Sequence, residues 1–378
     1  MKTSAHDSKF MDEALCLAGK GYGMTSPNPM VGAVLVKGQH IIGRGWHRRA
    51  GLPHAEVEAL QDARRRGKDP KGATLYVTLE PCCTHGRTPP CTTAIIGAGI
   101  RKVIVGATDP NPCHAGRAFK ILRRAGIQVV TGVLAAECAR LNEAFNHWIV
   151  HRTPFATVKA AMTLDGKIAT ATGESKWITG PRARAYAMRL RRGHDAVLVG
   201  INTILLDNPA LIARGPGAAR KTPALRRIVL DPMARTPLTA KVVSDRFAAN
   251  TTIVVSNAAP ERVIAALSKK VAVIVAPARK SQISNLKSQI DLRWLLKRLG
   301  KEDVTSLLVE GGGETNALFL NLAQRVLFFY APKILGGRDS RRAVGGESIA
   351  RLTDAIALRD IEWHRVGKDL LLNARICA

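Results

Sequence analysis

Residues 53–60 read Pro-His-Ala-Glu-Val-Glu-Ala-Leu, and they set His54 and Glu56 two positions apart beside an apolar run. Side chains at i and i+2 do not share a helix face. The pair can serve one metal only where a helix begins, and Pro53 marks such a start. Downstream, Leu-Glu-Pro-Cys-Cys-Thr-His-Gly-Arg-Thr-Pro-Pro-Cys (79–91) follows a strand pattern and supplies Cys82, Cys83, His85 and Cys91. Thiolate and imidazole suit zinc, and three protein ligands leave a fourth position for water, as catalytic zinc requires. Zinc brings the pKa of that water toward neutrality, and a nearby carboxylate that is not a ligand can then shuttle protons. The alternative is a closed structural zinc site, which leaves Glu56 without a task.

A second group of chemistry-bearing stretches lies at 158–180, 200–214 and 308–320. The last reads as a strand, three glycines and a helix. Backbone N–H groups and a helix N-terminus in that order can hold a phosphate. It lacks G-x-G-x-x-G and G-K-[ST], so Rossmann and P-loop readings are weak.

These residues need a scaffold. The pattern predicts a helix over 10–20, a hairpin around Lys-Gly-Gln-His (37–40), a helix over 55–66, a strand over 73–80 and a helical Thr-Thr-Ala-Ile-Ile-Gly-Ala-Gly. A strand at 102–109, a helix from 118, a strand at 127–132 and a helix over 135–146 follow. After 151–154 the pattern restarts. It predicts strands at 155–162, 195–200, 227–231, 251–256, 271–276 and 306–310. Helices are expected at 181–192, 260–269, 291–299 and 315–324, and the end is strand-rich. Strands alternating with helices imply an α/β protein with a mostly parallel sheet. A domain boundary is expected near 150, giving units 1–150 and 151–378, with a polar surface insertion at 279–289.

Composition bounds the rest. The chain has 378 residues, 46% of them hydrophobic, enough for two or three cored domains. The first 25 residues carry no signal-peptide h-region, and no uncharged apolar run reaches about 18 residues, so no spanning helix is expected and the cytoplasm is the natural compartment. Of seven cysteines, three crowd within ten positions, which fits a metal cluster better than a disulfide framework. The net charge of +28 raises nucleic acids or anionic small molecules as partners. The basic residues are dispersed, and with only 4% aromatics there is little to stack bases on. No specific nucleic-acid partner and no membrane are expected. The full basic excess has no physical account.

Zinc deaminases carry H-x-E followed by P-C-x-x-C. Here His-Ala-Glu and Pro-Cys fit, but eight residues separate Cys82 from Cys91. The string TSPNPMVGAVLV, HRRAGLPHAEVEAL, LYVTLEPCCTHGRTPPCTTAIIGAGI and ATDPNP closely resembles the deaminase half of the bifunctional riboflavin-biosynthesis deaminase–reductases, which have this longer loop. The resemblance implies a cytidine-deaminase-like three-layer domain. In it His54, Cys82 and Cys91 hold zinc, Glu56 shuttles protons, and Asn28, His47 and His85 meet the substrate. Where the family has a glycine-rich stretch after Asp-Pro-Asn-Pro, this chain has Cys-His-Ala-Gly-Arg-Ala-Phe (113–119).

The stretches at 158–180, 200–214 and 308–320 resemble the reductase half of the same family. That half has a dihydrofolate-reductase-like fold and uses NADPH. By residue the resemblance places Ala161, Trp177, Thr203, Asp207, Gly312, Gly313, Glu314, Thr315, Asn316, Ala317 and Leu318 at the nucleotide. It places Ser175, Arg191, Leu211, Arg214 and Glu310 at the substrate. The two arginines suit a phosphate, which guanidinium pairs bidentately. Lys159 and Asp165 lie near one strand end, where either could polarise or protonate the reacting sugar. The implied reactions are zinc-dependent deamination of a diamino-ribosylamino-pyrimidinone 5′-phosphate, then NADPH-dependent reduction of its ribosyl chain to ribityl, in a homodimer or tetramer. A nucleic-acid base deaminase and a non-catalytic zinc module are the competing readings. The first predicts no affinity for NADPH, and the second predicts that Glu56→Gln changes nothing.

Overall fold

The computed structural model describes residues 5–86, 89–213, 225–277 and 290–377. The expected insertion at 279–289 and Arg214 lie outside them. The chain forms two compact units, Met1–Arg152 and Thr153–Ala378.

The first unit has strands β1 (Gly32–Lys37), β2 (His40–Trp46), β3 (Thr74–Leu79), β4 (Lys102–Ala107) and β5 (Gln128–Thr131), in the sheet order β2-β1-β3-β4-β5. β1 runs antiparallel to β2 and β3, while β3, β4 and β5 are parallel. Its helices are α1 (Ala5–Gly19), α2 (Ala55–Arg65), α3 (Cys91–Gly97), α4 (Arg117–Arg124), α5 (Ala135–Leu141) and α6 (Glu143–His151).

Alternate strand residues point to opposite sheet faces. Ala33, Leu35, Leu75, Val77, Val103 and Val105 pack against Ala59 and Leu60 of α2, Ile95 of α3 and Leu122 of α4. Val34, Val36, Tyr76 and Ile104 pack against Met11, Ala14 and Leu17 of α1 and Cys138 of α5. This period-two division makes three layers. Helix α2 sits close on β2 because Gly43 and Gly45 face it. A Cβ at Gly45 would lie 2.2 Å from the Ala55 carbonyl oxygen.

The single helix expected over 135–146 is instead two, broken at Asn142. The buried Asn142 side chain accepts from Met30 N at 2.7 Å and donates to Met30 O at 2.8 Å. A long-range pair of hydrogen bonds thus overrides the local helical pattern.

The second unit contains β6 (Phe155–Thr163), β7 (Lys167–Ala169), β8 (Ala196–Gly200), β9 (Arg226–Leu230), β10 (Thr251–Ser256), β11 (Ala272–Ala276), β12 (Ser306–Val309), β13 (Arg325–Ala331), β14 (Arg341–Arg342), β15 (Leu358–Val366) and β16 (Asp369–Ile376). Nine of them form one sheet, ordered β11-β10-β9-β8-β12-β6-β13-β16-β15, and β7 pairs with β14. The run from β11 to β13 is parallel, and β16 and β15 add an antiparallel edge. The helices are α7 (Pro181–Arg192), α8 (Ile201–Asp207), α9 (Lys241–Ser244), α10 (Glu261–Ser268), α11 (Leu292–Lys301) and α12 (Gly313–Leu320). Leu198, Ile228, Leu307 and Val309 pack against Leu295 and Leu299 of α11 and Phe319 of α12. Val197, Val199, Val229 and Ile253 pack against Ile204 of α8, Val242 of α9 and Leu267 of α10. β12 lies between β8 and β6, so the strand order reverses there, and such a switch point leaves a crevice beyond the carboxyl ends of the strands.

Candidate active sites

His54 caps the N-terminus of α2 in extended conformation, and its carbonyl accepts from Glu58 N. Cys91 is the first residue of α3, and its backbone N–H donates to Cys82 Sγ at 3.3 Å. The N-terminus of α3 therefore points at the Cys82 thiol, and its positive end favours thiolate there. His54 Nδ1 lies 3.5 Å from Cys82 Sγ and 3.3 Å from Cys91 Sγ. The three donor atoms all lie within 4.8 Å of one another. Zinc with bonds of about 2.0–2.3 Å in tetrahedral array spaces its donors roughly 3.5 Å apart, so the set fits zinc.

Hydrogen bonds from Cys91 and His54 pull the Cys82 thiol down to about 4. Donating to Cys82 pushes the Cys91 thiol up, so the pair shares one proton that a bound divalent cation would release. The hydrogen bond to Cys82 raises His54. Glu56 is 3% exposed, and burial, with the Cys82 charge, pushes its carboxyl up to about 7. A carboxyl poised near neutrality can both take and give a proton.

His54, Glu56 and Cys82 line a cavity of about 340 Å³. Asn28 and His47 also line it, as do Phe145, Trp148 and Ile149 of α6. His47 Nδ1 lies 3.2 Å from the Pro53 carbonyl oxygen, so Nδ1 carries the proton, and Nε2 accepts from Asn28 Nδ2 at 3.1 Å. Burial lowers the pKa of His47, which keeps this neutral tautomer. Asn28 is thereby oriented with its amide nitrogen toward His47. His85 is exposed, and the cavity is lined by its neighbours Thr84 and Gly86. Sequence reasoning missed Glu80, Asp109, Asn111 and His114 as lining residues.

In the second unit, Glu310 follows β12 directly, and the register Val309↔Val158 sets it level with Lys159 on β6. Arg191, at the end of α7, donates to both Glu310 carboxylate oxygens, at 3.1 and 2.5 Å, and to the Ile212 carbonyl at 3.2 Å. Burial pushes the Glu310 carboxyl up, but Arg191 and Lys159 outweigh it and hold it at about 2. The bidentate partner of Arg191 is thus the carboxylate of Glu310, a second residue expected at the substrate. Ser175 donates to Asp207 Oδ1 at 3.2 Å, and Thr203 lies on the same helix as Asp207. Trp177 is exposed, with the Arg184 guanidinium 4.6 Å from its ring centre. Ala161 is half-buried, and Leu211 is buried in the core with a φ of 49°. Asp165 accepts from Thr163 Oγ1 and from the backbone N–H groups of Leu335 and Gly336, which gives it a loop-holding task.

Gly312 caps α12, whose first turn holds Gly313, Glu314 and Thr315. Thr315 and Asn316 are buried, and Asn316 Nδ2 donates to the Ala343 carbonyl at 2.7 Å. Their side chains face the protein, so what this turn can offer a ligand is its backbone N–H groups. A Cβ at Gly312 would meet nothing within 4 Å. That open cradle at a helix N-terminus, reached from the carboxyl ends of the strands, fits the phosphates of a dinucleotide. Ala317 and the half-exposed Leu318 lie further along the same helix.

A three-layer unit with a His-Cys-Cys donor set and a buried carboxyl is a zinc-binding deaminase, and the unit after it has the dihydrofolate-reductase-like fold of a nucleotide-dependent reductase. Residues 4–107 match the cytidine and deoxycytidylate deaminase zinc-binding region, and residues 154–372 match the RibD C-terminal domain. The riboflavin biosynthesis protein RibD of Actinobacillus pleuropneumoniae is 42% identical over 97% of this chain and 94% of its own length. The structure of Acinetobacter baumannii RibD superposes with a TM-score of 0.86 at 33% identity, covering 99% of each chain. The Thermotoga maritima diaminohydroxyphosphoribosylaminopyrimidine deaminase/5-amino-6-(5-phosphoribosylamino)uracil reductase superposes at 0.82 with 35% identity, covering 98% of this chain and 99% of its own. The chain belongs to the RibD family. It is a bifunctional enzyme of riboflavin biosynthesis that uses zinc for deamination and NADPH for reduction. No helix among the described residues is long and apolar enough to cross a membrane.

Proposed function

We propose that the cavity of the first unit removes the 2-amino group of the diamino-ribosylamino-pyrimidinone 5′-phosphate, and that the second unit then reduces the ribosyl chain to ribityl. The observation that supports the first step best is Glu56, a buried carboxyl held near neutrality beside three zinc donors that do not include it. His54, Cys82 and Cys91 would hold zinc, which when bound supplies a water acidified toward neutral pH. Glu56 accepts a proton on its carboxylate and delivers it to the departing amine. Asn28, fixed by His47, faces the pyrimidine edge, where an amide can match donor and acceptor together. Phe145, Trp148 and Ile149 give the ring an apolar wall and exclude water.

In the second unit NADPH supplies hydride when bound, and the protein supplies geometry. The backbone of 312–315 takes the cofactor phosphates. Glu310 and Arg191 order the carboxyl ends of β12 and α7. Lys159, level with Glu310, can donate a hydrogen bond to the sugar oxygen that receives the proton. The homo-oligomer usual for such enzymes and a cytoplasmic location belong to this reading. The test is to supply the diamino substrate with NADPH and follow ammonia release and nicotinamide absorbance separately. Both signals, with ammonia first, support the proposal. Ammonia without NADPH oxidation removes the second half of it.

A further inference from the structure

The loop after β4 is where this chain departs from the glycine-rich family pattern, and it borders the deaminase cavity. Asp109, Asn111 and His114 all line that cavity, as does Thr84. The loop is pinned by the buried Glu80, whose carboxylate accepts from the backbone N–H groups of Asp109 at 3.2 Å, Gly116 at 2.9 Å and Ala118 at 3.1 Å. Asp109 Oδ1 accepts from Asn111 N at 2.9 Å, and Oδ2 lies 2.8 Å from His114 Nδ1. A carboxylate can only accept there, so Nδ1 carries a proton. Nε2 is then the ring atom left for other partners, and it stands 2.9 Å from Thr84 Oγ1.

The substrate is a phosphomonoester, and its charged end needs N–H or O–H donors. Among the described residues that line the cavity, none is lysine or arginine, and the histidines are 47, 54 and 114. His54 is a zinc donor in the reading above. His47 is 2% exposed, and its ring nitrogens are held inside the protein by the Pro53 carbonyl and the Asn28 amide. His114 remains: its ring is only partly buried, Asp109 holds Nδ1, and the partner at Nε2 is the exposed Thr84 hydroxyl, which can turn to a ligand. We infer that His114 is a further substrate-contacting residue of the deaminase, whose Nε2 and the Thr84 hydroxyl together hold the phosphate of the substrate. Asp109 is a positioning residue that fixes the ring with Nε2 outward. A proton on Nε2 as well as on Nδ1 makes that hydrogen bond to a phosphate oxygen charge-assisted. The inference rests on the deaminase reading of this cavity.

The test compares the full-length, zinc-loaded enzyme with His114→Val and His114→Gln. Ammonia release is followed on the phosphorylated substrate and on its dephosphorylated riboside. The wild type favours the phosphorylated form. Both variants lose roughly 10- to 100-fold in kcat/KM on it. The loss falls in KM, because a contact remote from the reacting carbon binds ground and transition states alike. On the riboside the variants match the wild type within about twofold. Asp109→Asn gives a smaller loss of the same kind. Equal losses on both substrates overturn the inference, because they mean that His114 only supports the loop. A wild type indifferent to the phosphate overturns it too. A wild type that deaminates neither substrate defeats the underlying deaminase reading, and is told apart because no variant is needed to see it.

Discussion

The two active regions are built in opposite ways. In the first unit the zinc donors and Glu56 lie within residues 54–91, on two helix starts and the loop after one strand. In the second, the corresponding groups are drawn from β6, α7, α8, the end of β12 and α12, and their strongest contact joins residues 119 apart, Arg191 and Glu310. The first site depends on ligand chemistry that a short segment can carry. The second depends on a sheet bringing distant strand ends together. Damage to a single donor should therefore silence the first region with its fold intact, whereas damage to the buried ion pair of the second should disturb its fold and its chemistry together.

The largest effect expected is loss of a zinc donor. Cys82→Ser or Cys91→Ser should abolish ammonia release and lower bound zinc, measured by metal analysis, while NADPH oxidation on the already deaminated substrate continues. Glu310→Gln should come next. It leaves the buried Arg191 cation opposite a neutral amide that can accept at only one of its two ends, and breaking such a pair costs about 3–5 kcal/mol. Urea unfolding should show the second unit destabilised, with ammonia release retained.

The same pair sets a pH dependence. The carboxyl of Glu310 is held at about 2 in the folded protein, below its ordinary value of 4.5. Its contribution is full above that ordinary value and is lost as pH falls from there toward 2. Acid unfolding of the second unit should steepen in that window and flatten in Glu310→Gln. A smaller effect is expected from Gly45→Ala. The added Cβ would meet the Ala55 carbonyl at the start of α2, and overpacking of this kind costs about 1–3 kcal/mol. Calorimetry should find the first unit weakened, with ammonia release reduced because α2 carries Glu56.

Much of this contrast was legible in the linear chain. His54, Glu56, Cys82 and Cys91 declare themselves by residue type, because few other tasks need that set in that order. The apolar run Ala33, Val34, Leu35 and Val36 before Lys-Gly-Gln-His announces one strand of a hairpin, and the fold adds that it is buried on both faces. What stayed hidden depends on tertiary proximity. The pairing of Asn142 with Met30, 112 residues apart, splits a helix that local periodicity draws as continuous. Glu80 looks like a flank of the cysteine loop, yet its carboxylate holds the loop around Asp109 and His114. Arg191 and Glu310 are each expected at the substrate, and only the fold shows that they also bind each other. His85 sits inside the cysteine motif but is exposed, because the loop presents its neighbours to the cavity.

The central claim is that one chain runs two separable reactions, the first gated by the Glu56 carboxyl. The most direct measurement is Glu56→Gln assayed with two substrates in the presence of NADPH. With the diamino substrate, ammonia release should fall by roughly 10²- to 10⁴-fold, and NADPH oxidation should fall with it. With the deaminated substrate, NADPH oxidation should proceed at the wild-type rate and bound zinc should be unchanged. Undiminished ammonia release from Glu56→Gln would contradict the account.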